Sequence, residues 1–212
     1  MPRVSEAHLA ARREQILAAA ARCFLRNGFH QTSMQDVIKE AGLSVGAFYR
    51  YFNSKAELIH AIAEEKVGSI LTTLEQLLAQ EPPPAMAEVF EQLIGQVDRN
   101  LEADGPVRIA VQVWGEAAYD PAFADLVGHI YGSIRDRATA LVTRVRDAGM
   151  LAPETDPVSV AAAMVGLVQG YVIQRVLAGR VDKEVYLSGI RSLIGDYGAR
   201  DAHEADRPPW KA

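Results

Sequence analysis

The sequence predicts an all-α protein of about nine helices. Apolar residues recur every three to four positions along most of the chain, which is the spacing of amphipathic helices. Capping residues, prolines and glycines mark where these stretches begin and end. The two-residue alternation of a half-buried strand occurs nowhere. With 212 residues, of which 49% are hydrophobic and 23% charged, the composition is that of one large or two modest globular domains.

The first helix is predicted over residues 9–27, after a loose arm at residues 1–8. Gly28 ends this helix, and Phe29 is expected to pack beneath it. The apolar inner side is formed by Ile16, Leu17, Ala20, Cys23, Phe24 and Leu25. Because Cys23 is the only cysteine, an internal disulfide is impossible and a reducing compartment is indicated.

Two short helices follow and are joined by a tight turn. Ser33 and Asp36 have the spacing of a capping box at the start of the second helix, which Gly42 ends. Ser44 is the cap of a third helix, predicted over residues 45–52. This is the helix-turn-helix layout, in which the second of the two helices enters the major groove of DNA.

The third predicted helix carries side chains that suit DNA. It contains no acidic residue that phosphates would repel. Tyr49 and Tyr51 can donate hydrogen bonds to phosphate, and Arg50 can do the same or read guanine. Gly46 is unfavourable inside a helix by roughly 1 kcal/mol relative to alanine. Close approach of the helix backbone to DNA offers a reason for this glycine.

Charge is divided unevenly along the chain. Residues 1–55 contain eight Lys and Arg against four Asp and Glu, a formal charge of +4 in a chain whose total is −5. The rest of the chain therefore carries −9. A basic amino-terminal part on an acidic body is the electrostatic pattern of a DNA-binding domain attached to a second domain. Phosphate neutralisation by the basic part predicts binding that weakens steeply with salt.

Residues 9–58 resemble the DNA-binding domain of the TetR family of bacterial transcriptional regulators. The resemblance is most specific in the runs T-S-M-x-D-V and A-G-L-S-x-G-x-F-Y-x-Y-F-x-S-K-x-E-L. The sequence departs from the family pattern at Arg50 and at Ala56, where a glutamate is common. By this resemblance, the residues expected to contact DNA are Ser33, Gln35, Ser44, Val45, Gly46, Ala47, Tyr49, Arg50, Tyr51 and Lys55. Gln35, Tyr49 and Arg50 are expected at base edges or adjacent phosphates.

Six further helices are delimited by prolines, glycines and capping residues. They are predicted over residues 55–78, 85–102, 106–118, 121–148, 157–178 and 183–197. The clearest boundaries are the proline run after Glu81 and the Asp-Pro starts at Asp120 and Asp156. Together with the resemblance, these boundaries give the expected domains. They are a DNA-binding domain at 1–54, an effector-binding and dimerisation domain at 55–198, and a disordered tail at 199–212.

The eighth helix is uncharged over the 17 residues from Val158 to Gln174. A membrane span needs about 20 apolar residues, and polar side chains interrupt this run. We therefore interpret it as a buried helix without membrane contact. Small residues at Ala162, Gly166 and Gly170 permit close approach of another helix, from the same chain or a second copy. TetR-like proteins dimerise through their last two helices, which implies an interface of Ala162, Gly166, Gly170, Tyr186, Ile190 and Leu193.

A ligand site is the further expectation for the body of the protein. Aromatic and polar side chains on the fifth to eighth helices either form a small-molecule pocket or are ordinary core. The resemblance favours an effector site, and the aromatic content indicates a largely apolar effector. The candidate residues are Phe90, Trp114, Tyr119, Phe123, His129, Tyr131, Met164, Gln169 and Tyr171.

The sequence contains no recognisable catalytic or metal-binding arrangement. Its five histidines lack the spacing of a paired-histidine metal site, and no phosphate-binding glycine loop is present. We therefore expect no enzymatic activity and no cofactor. The leading hypothesis is a cytoplasmic, homodimeric, ligand-responsive repressor that binds a pseudo-palindromic DNA operator. The alternative is a small-molecule-binding helical adaptor whose helix-turn-helix is only structural.

Overall fold

The computed structural model describes residues 6–101, 107–179 and 181–195. Every regular element within these residues is helical and no strand occurs among them, which confirms the all-α prediction. The helices are α1 (Glu6–Gln31), α2 (Met34–Ala41), α3 (Val45–Phe48), α4 (Lys55–Leu78), α5 (Met86–Arg99), α6 (Val107–Ala117), α7 (Pro121–Asp147), α8 (Pro157–Ile173) and α9 (Lys183–Ile194). A π-helical turn at Gln174–Ala178 continues α8.

The described residues fall into two compact units. The first unit lies within Met1–Gly68 and Leu101–Gly128, and the second lies within Ser69–Asn100 and His129–Ala212. Helices α4 and α7 each run from the first unit into the second. The first unit therefore contains α6 and the start of α7 in addition to the helix-turn-helix region.

Helix α1 bends sharply at Gly28, whose φ of +75° lies in the left-handed region that glycine tolerates. Phe29 follows the bend and is buried against Phe24, with the ring centroids 5.0 Å apart and the rings edge to face. The helical turn beyond Gly28 runs in a new direction. The predicted end of this helix at residue 27 therefore coincides with the bend.

Helix α6 and the start of α7 complete the core of the first unit. The side-chain amide of Gln112 in α6 donates a 3.3 Å hydrogen bond to the carbonyl oxygen of Phe24 in α1. The ring of Phe123 in α7 stacks on Phe29, with the centroids 6.3 Å apart. The end of α1 is thus held by residues that lie far along the chain.

Helix α3 ends at Phe48, whereas the sequence predicted a helix that extends to residue 52. Beyond Phe48 the hydrogen bonding tightens, because the amide of Tyr51 donates to the carbonyl of Phe48, three residues back. This turn directs Phe52 into the core, where it is buried. The predicted range 45–52 is therefore wrong at its end, because a core contact replaces the last turn of helix.

The second unit is organised around α5, which packs against α8 and α9. The apolar side of α5 is buried and consists of Met86, Val89, Phe90, Leu93, Ile94 and Val97. A polar link joins α5 to α8, since the hydroxyl of Tyr171 donates a 2.7 Å hydrogen bond to Oδ1 of Asp98. Arg175, in the π-helical turn, lies 3.1 Å from the same carboxylate oxygen.

Helix α8 is buried on one side only within a single chain. Its buried residues are Ala161, Met164, Tyr171 and Val172. Val158 and Ile173 are exposed, as is Leu177 in the π-helical turn. The helical stretch Pro157–Ala178 is long and apolar enough to cross a membrane, with a mean hydropathy of 1.5 over 18 residues. No other helix among the described residues has this length and composition. An exposed apolar face of this kind is typical of a surface that a partner covers.

Candidate DNA-binding surface

Local capping fixes the start of α2. The hydroxyl of Ser33 accepts a 3.2 Å hydrogen bond from the amide of Asp36, and the amide of Ser33 donates a 2.8 Å bond to Oδ2 of Asp36. These bonds form the predicted capping box. Hydrogen bonds from the side chain and the backbone of Ser33 hold the pKa of the Asp36 carboxyl below its usual range.

The turn between α2 and α3 is also fixed by local interactions. Gly42 has a φ of +65°, and its amide donates to the last carbonyls of α2. Ser44 then caps α3, because its hydroxyl accepts a 3.3 Å hydrogen bond from the amide of Ala47. The sequence thus determines the helix-turn-helix geometry over a span of about fifteen residues.

Contacts with α1 position α2. The side chain of Gln15 donates a 2.7 Å hydrogen bond to the carbonyl of Ala41 at the end of α2. Arg26 and Arg22 donate to the two carboxylate oxygens of Glu40 at 2.6 and 2.8 Å. The hydrogen bond from Arg26, followed by that from Arg22, lowers the pKa of Glu40. Glu40 is therefore an anion that these two arginines neutralise.

The outer side of this region is accessible. Tyr49 is 42% exposed, and Val45 on the preceding turn is more exposed still. A Cβ atom added at Gly46 would meet no atom of the chain within 4 Å, so space for a partner exists directly above the helix backbone. Of the predicted DNA contacts, the exposed residues are Ser33, Gln35, Ser44, Val45, Gly46, Tyr49 and Arg50, whereas Ala47, Tyr51 and Lys55 are partly buried.

Lys55 makes contacts that the sequence did not indicate. Its ammonium group donates to the carbonyl oxygens of Phe29 and Thr32, the latter at 3.2 Å. Both carbonyls belong to the segment between the bend in α1 and the start of α2. The first residue of α4 is thus bonded to the connection that leads into α2.

The candidate ligand residues are distributed over both units. Trp114, Tyr119 and Phe123 lie in the first unit, and the second unit contains Phe90, His129, Tyr131, Met164, Gln169 and Tyr171. Tyr119 is 92% exposed, whereas Phe90, Phe123, Met164 and Tyr171 are buried. An open groove of about 420 Å³ in the first unit is lined by Arg13, Tyr51, Phe52, Ala56, Glu57, His60, Ala61 and Glu64, which include none of these candidates.

Two of the candidate tyrosines are neutral hydrogen-bonding groups. Burial raises the pKa of Tyr131 to about 12. Burial, followed by the hydrogen bond to Asp98, also raises the pKa of Tyr171. The hydroxyl of Tyr171 already bonds α8 to α5, whereas Tyr131 is a partly buried, neutral phenol.

The candidate dimer residues differ in accessibility. Ala162 and Gly166 are exposed, and Leu193 is 77% exposed. Ile190 is buried within the chain. A Cβ atom at Gly170 would lie 3.2 Å from the hydroxyl of Tyr186, so the small residue permits a contact between α8 and α9 of one chain.

Several contacts of the first unit have no signal in the sequence. His30 Nε2 lies 2.8 Å from Oε1 of Glu116, and Gln112 bonds to a carbonyl in α1. The partners are more than eighty residues apart, so neither periodicity nor a local motif could have paired them. Among the described residues, no group of three His, Cys, Asp or Glu side chains has a metal-binding arrangement.

Two protein-family models match the chain. The model for bacterial regulatory proteins of the tetR family matches residues 16–62, which include the α2–turn–α3 region. The model for the C-terminal part of BetI-type transcriptional repressors matches residues 85–197, more than half of the chain.

Individual relatives agree with these matches. The HTH-type transcriptional regulator UidR of Escherichia coli strain K12 is 27% identical over 186 residues, covering 86% of this chain and 91% of UidR. The structure of Salmonella enterica GusR has a TM-score of 0.75 at 25% identity, covering 90% of this chain and 96% of GusR. FadR from Bacillus subtilis, solved in complex with stearoyl-CoA, shares the fold with a TM-score of 0.72 at 20% identity, covering 85% and 96% of the two chains.

Proposed function

Because the chain belongs to the TetR family of bacterial transcriptional regulators, we propose that it is a ligand-responsive repressor that binds an operator as a homodimer. The observation that carries the proposal is the exposed surface of α3. This helix is capped by Ser44 and anchored by the buried Phe48. Neither the helix nor the turn that follows it, up to residue 52, contains an acidic residue. Such a helix can approach the polyanionic backbone of DNA without charge repulsion.

The roles proposed for individual residues follow from their positions. Tyr49 and Arg50, in the exposed turn that follows α3, and Gln35 on α2 reach base edges or nearby phosphates. The open backbone at Gly46 lets α3 approach the groove floor closely. The remaining residues are proposed to bind the sugar-phosphate backbone of DNA or to pack against it. They are Ser33, Ser44, Val45, Ala47 and Tyr51. We propose residues 1–54 as the DNA-binding domain and residues 55–198 as the effector-binding and dimerisation domain.

A largely apolar molecule is proposed as the effector. FadR, which shares the fold, was solved with stearoyl-CoA, a ligand that joins a long apolar acyl chain to an anionic coenzyme A group. The candidate ligand residues of the second unit include the aromatic side chains of Phe90, Tyr131 and Tyr171, and Tyr131 and Gln169 supply neutral polar groups. A few uncharged polar groups in an apolar wall orient such a ligand without requiring it to be ionic.

The homodimer is proposed to form through α8 and α9. Leu177, Val185 and Leu193 are large apolar side chains that are exposed in the single chain. Covering them with the same face of a second copy removes apolar surface from water. A two-fold dimer then presents two copies of α3 to half-sites about one helical turn apart.

Coupling between effector and operator is proposed to pass through α6 and α7. Gln112 and Phe123 of these helices contact the end of α1, next to the DNA-binding region. An effector that displaces α6 or α7 therefore changes the position of α1. By linkage, operator binding must weaken effector binding by the same factor as effector weakens operator binding.

Operator binding tests this proposal directly. DNA selected from random duplexes by the wild-type protein is titrated by fluorescence anisotropy at several salt concentrations. We expect tight, salt-sensitive binding, and roughly a tenfold or larger loss of affinity for Tyr49→Ala. Tyr119→Ala is the matched control. It also removes an exposed tyrosine, but this residue lies in the turn after α6 and outside the proposed DNA-binding surface. Absence of salt-sensitive binding by the wild type would overturn the proposal and favour the adaptor.

We propose a cytoplasmic location, no enzymatic activity and no cofactor, as suits a regulator that acts by binding DNA.

A further inference from the structure

We propose that Lys55 is a positioning residue that sets the start of α2 for operator binding and does not neutralise a phosphate. This inference rests on the proposed function, since it concerns how the DNA-binding surface is held. Its ammonium group donates to the carbonyls of Phe29 and Thr32. An ammonium group has three donor positions, and two of them are occupied inside the protein.

The segment between α1 and α2 depends on this arrangement for its hydrogen bonds. The buried hydroxyl of Thr32 bonds to the carbonyl of Gly28 at 2.8 Å and to that of Cys23 at 3.2 Å. Lys55 bonds to the carbonyls of Phe29 and Thr32. Lys55 thus satisfies two carbonyl oxygens around the end of α1, and the single proton of the Thr32 hydroxyl is shared between two more. The two carbonyls bonded to Lys55 would lose a partner if its ammonium group were removed.

The electrostatics of the helix ends favour this role. Lys55 is the first residue of α4, where the positive end of the helix dipole disfavours a cation. The carbonyl of Phe29, in the last turn of α1, carries the opposite partial charge and attracts an ammonium group. These partial charges attract the ammonium group of Lys55 to the α1–α2 connection in the free protein, before any DNA is present.

The consequence for DNA binding passes through one peptide bond. The carbonyl of Thr32 is part of the peptide group that carries the amide of Ser33, and this amide donates to Asp36 in the capping box. Lys55 therefore fixes the position of the α2 N-terminus, where Ser33 is proposed to meet the operator backbone. Phe29 also stacks on Phe123 of α7, so the connection that Lys55 holds is in contact with a helix that runs into the second unit.

The salt dependence of operator affinity separates the two roles. If Lys55 neutralised a phosphate, Lys55→Met would lower the slope of log K against log salt by about 0.9 for each DNA-binding domain of the dimer. For a positioning residue we expect operator affinity to fall by roughly tenfold, with a slope that changes by far less. The amides of Ser33 and Asp36 in the free variant should also exchange faster with solvent.

Arg50→Met is the matched control for this series. Arg50 is exposed and is proposed to reach a base edge or a phosphate, so its loss should lower operator affinity and leave amide exchange at Ser33 unchanged. Wild-type affinity for Lys55→Met, or a slope lowered by about 0.9 with unchanged exchange, would overturn the positioning role. Absence of salt-sensitive binding by the wild-type protein would instead count against the proposed function.

A measurement on the wild-type protein remains decisive if Lys55→Met does not fold. Lysines are acetylated briefly with acetic anhydride, with and without selected operator, and the rates at Lys55 and the exposed Lys39 are compared by mass spectrometry. A positioning role predicts that Lys55 is acetylated several-fold more slowly than Lys39 in the free protein. It also predicts that the acetylation rate of Lys55 changes little when operator is added. Reaction at the rate of Lys39, with protection only by operator, would show a phosphate contact.

Discussion

The hydroxyl of Tyr171 donates a 2.7 Å hydrogen bond to Oδ1 of Asp98, and the guanidinium of Arg175 lies 3.1 Å from the same oxygen. Tyr171 is fully buried, whereas Asp98 and Arg175 are about one-third exposed. This is the point at which α5, α8 and the π-helical turn meet through polar groups. The bond gives a buried phenol its partner and thereby fixes how α8 lies on α5.

Tyr171→Phe should lower the free energy of unfolding by about 1–3 kcal/mol, because it removes a buried hydrogen bond to a carboxylate while keeping the ring. Chemical denaturation monitored by circular dichroism measures this loss. Tyr119→Phe removes the hydroxyl of a tyrosine that is 92% exposed, and we expect a change within about 0.5 kcal/mol. Equal effects of the two substitutions would contradict the role of the Asp98 bond.

Gly28→Ala should destabilise the protein by about 1–2 kcal/mol through backbone strain. The φ of Gly28 is +75°, and an added Cβ would meet no atom within 4 Å, so steric contact makes no contribution. Gly115→Ala is the control, since this glycine lies in α6 with equal space but helical backbone. We expect it to stabilise by up to about 1 kcal/mol, and thermal unfolding of both variants checks the opposite signs.

Gly46→Ala should change the stability of the protein and its operator affinity in opposite directions. Alanine is favoured in a helix by roughly 1 kcal/mol, and the added methyl group meets nothing within the chain. The melting temperature should therefore rise. If α3 enters the groove as proposed, the same methyl group obstructs close approach and operator affinity should fall. A variant with both higher stability and unchanged affinity would show that the backbone at this position does not approach DNA.

Gly166→Leu should shift the proposed homodimer towards monomer in sedimentation experiments. A Cβ atom added at Gly166 would meet no atom of the chain within 4 Å, so the position has open space on the proposed interface with a second copy. Gly166→Ala provides the control with a small side chain and should remain dimeric. Gly170 is less suitable, because a larger residue there would first displace Tyr186 of the same chain. An unchanged dimer for Gly166→Leu would place the interface elsewhere.

The stability contribution of the capping box should depend on pH. Hydrogen bonds from Ser33 lower the pKa of Asp36 in the folded protein, so the unfolded chain takes up this proton first as the pH falls. The contribution is therefore complete at neutral pH and is lost as the pH falls through the ordinary carboxyl range towards the lowered value. The difference in melting temperature between wild type and Asp36→Asn should shrink between neutral pH and about pH 3. A difference that stays constant would contradict this linkage.

Much of the fold was predictable from the sequence because its signals are local. The capping box at Ser33, the left-handed Gly42 and the Asp156-Pro157 start each involve residues within a few positions of one another. Helix starts and ends follow from such short-range hydrogen bonding and from apolar periodicity. The end of α3 was missed, because the burial of Phe52 depends on the whole first unit.

The sequence by itself determined that this is an all-helical protein with a helix-turn-helix, and it identified the TetR family through residues in that motif. The tertiary structure alone decided what the side chains of Lys55, Gln112 and Tyr171 contact. Lys55 reaches a carbonyl 26 positions away, and Gln112 reaches one 88 positions away. Pairings of this kind arise only when the chain closes on itself and buried polar groups must find partners, so no local pattern encodes them.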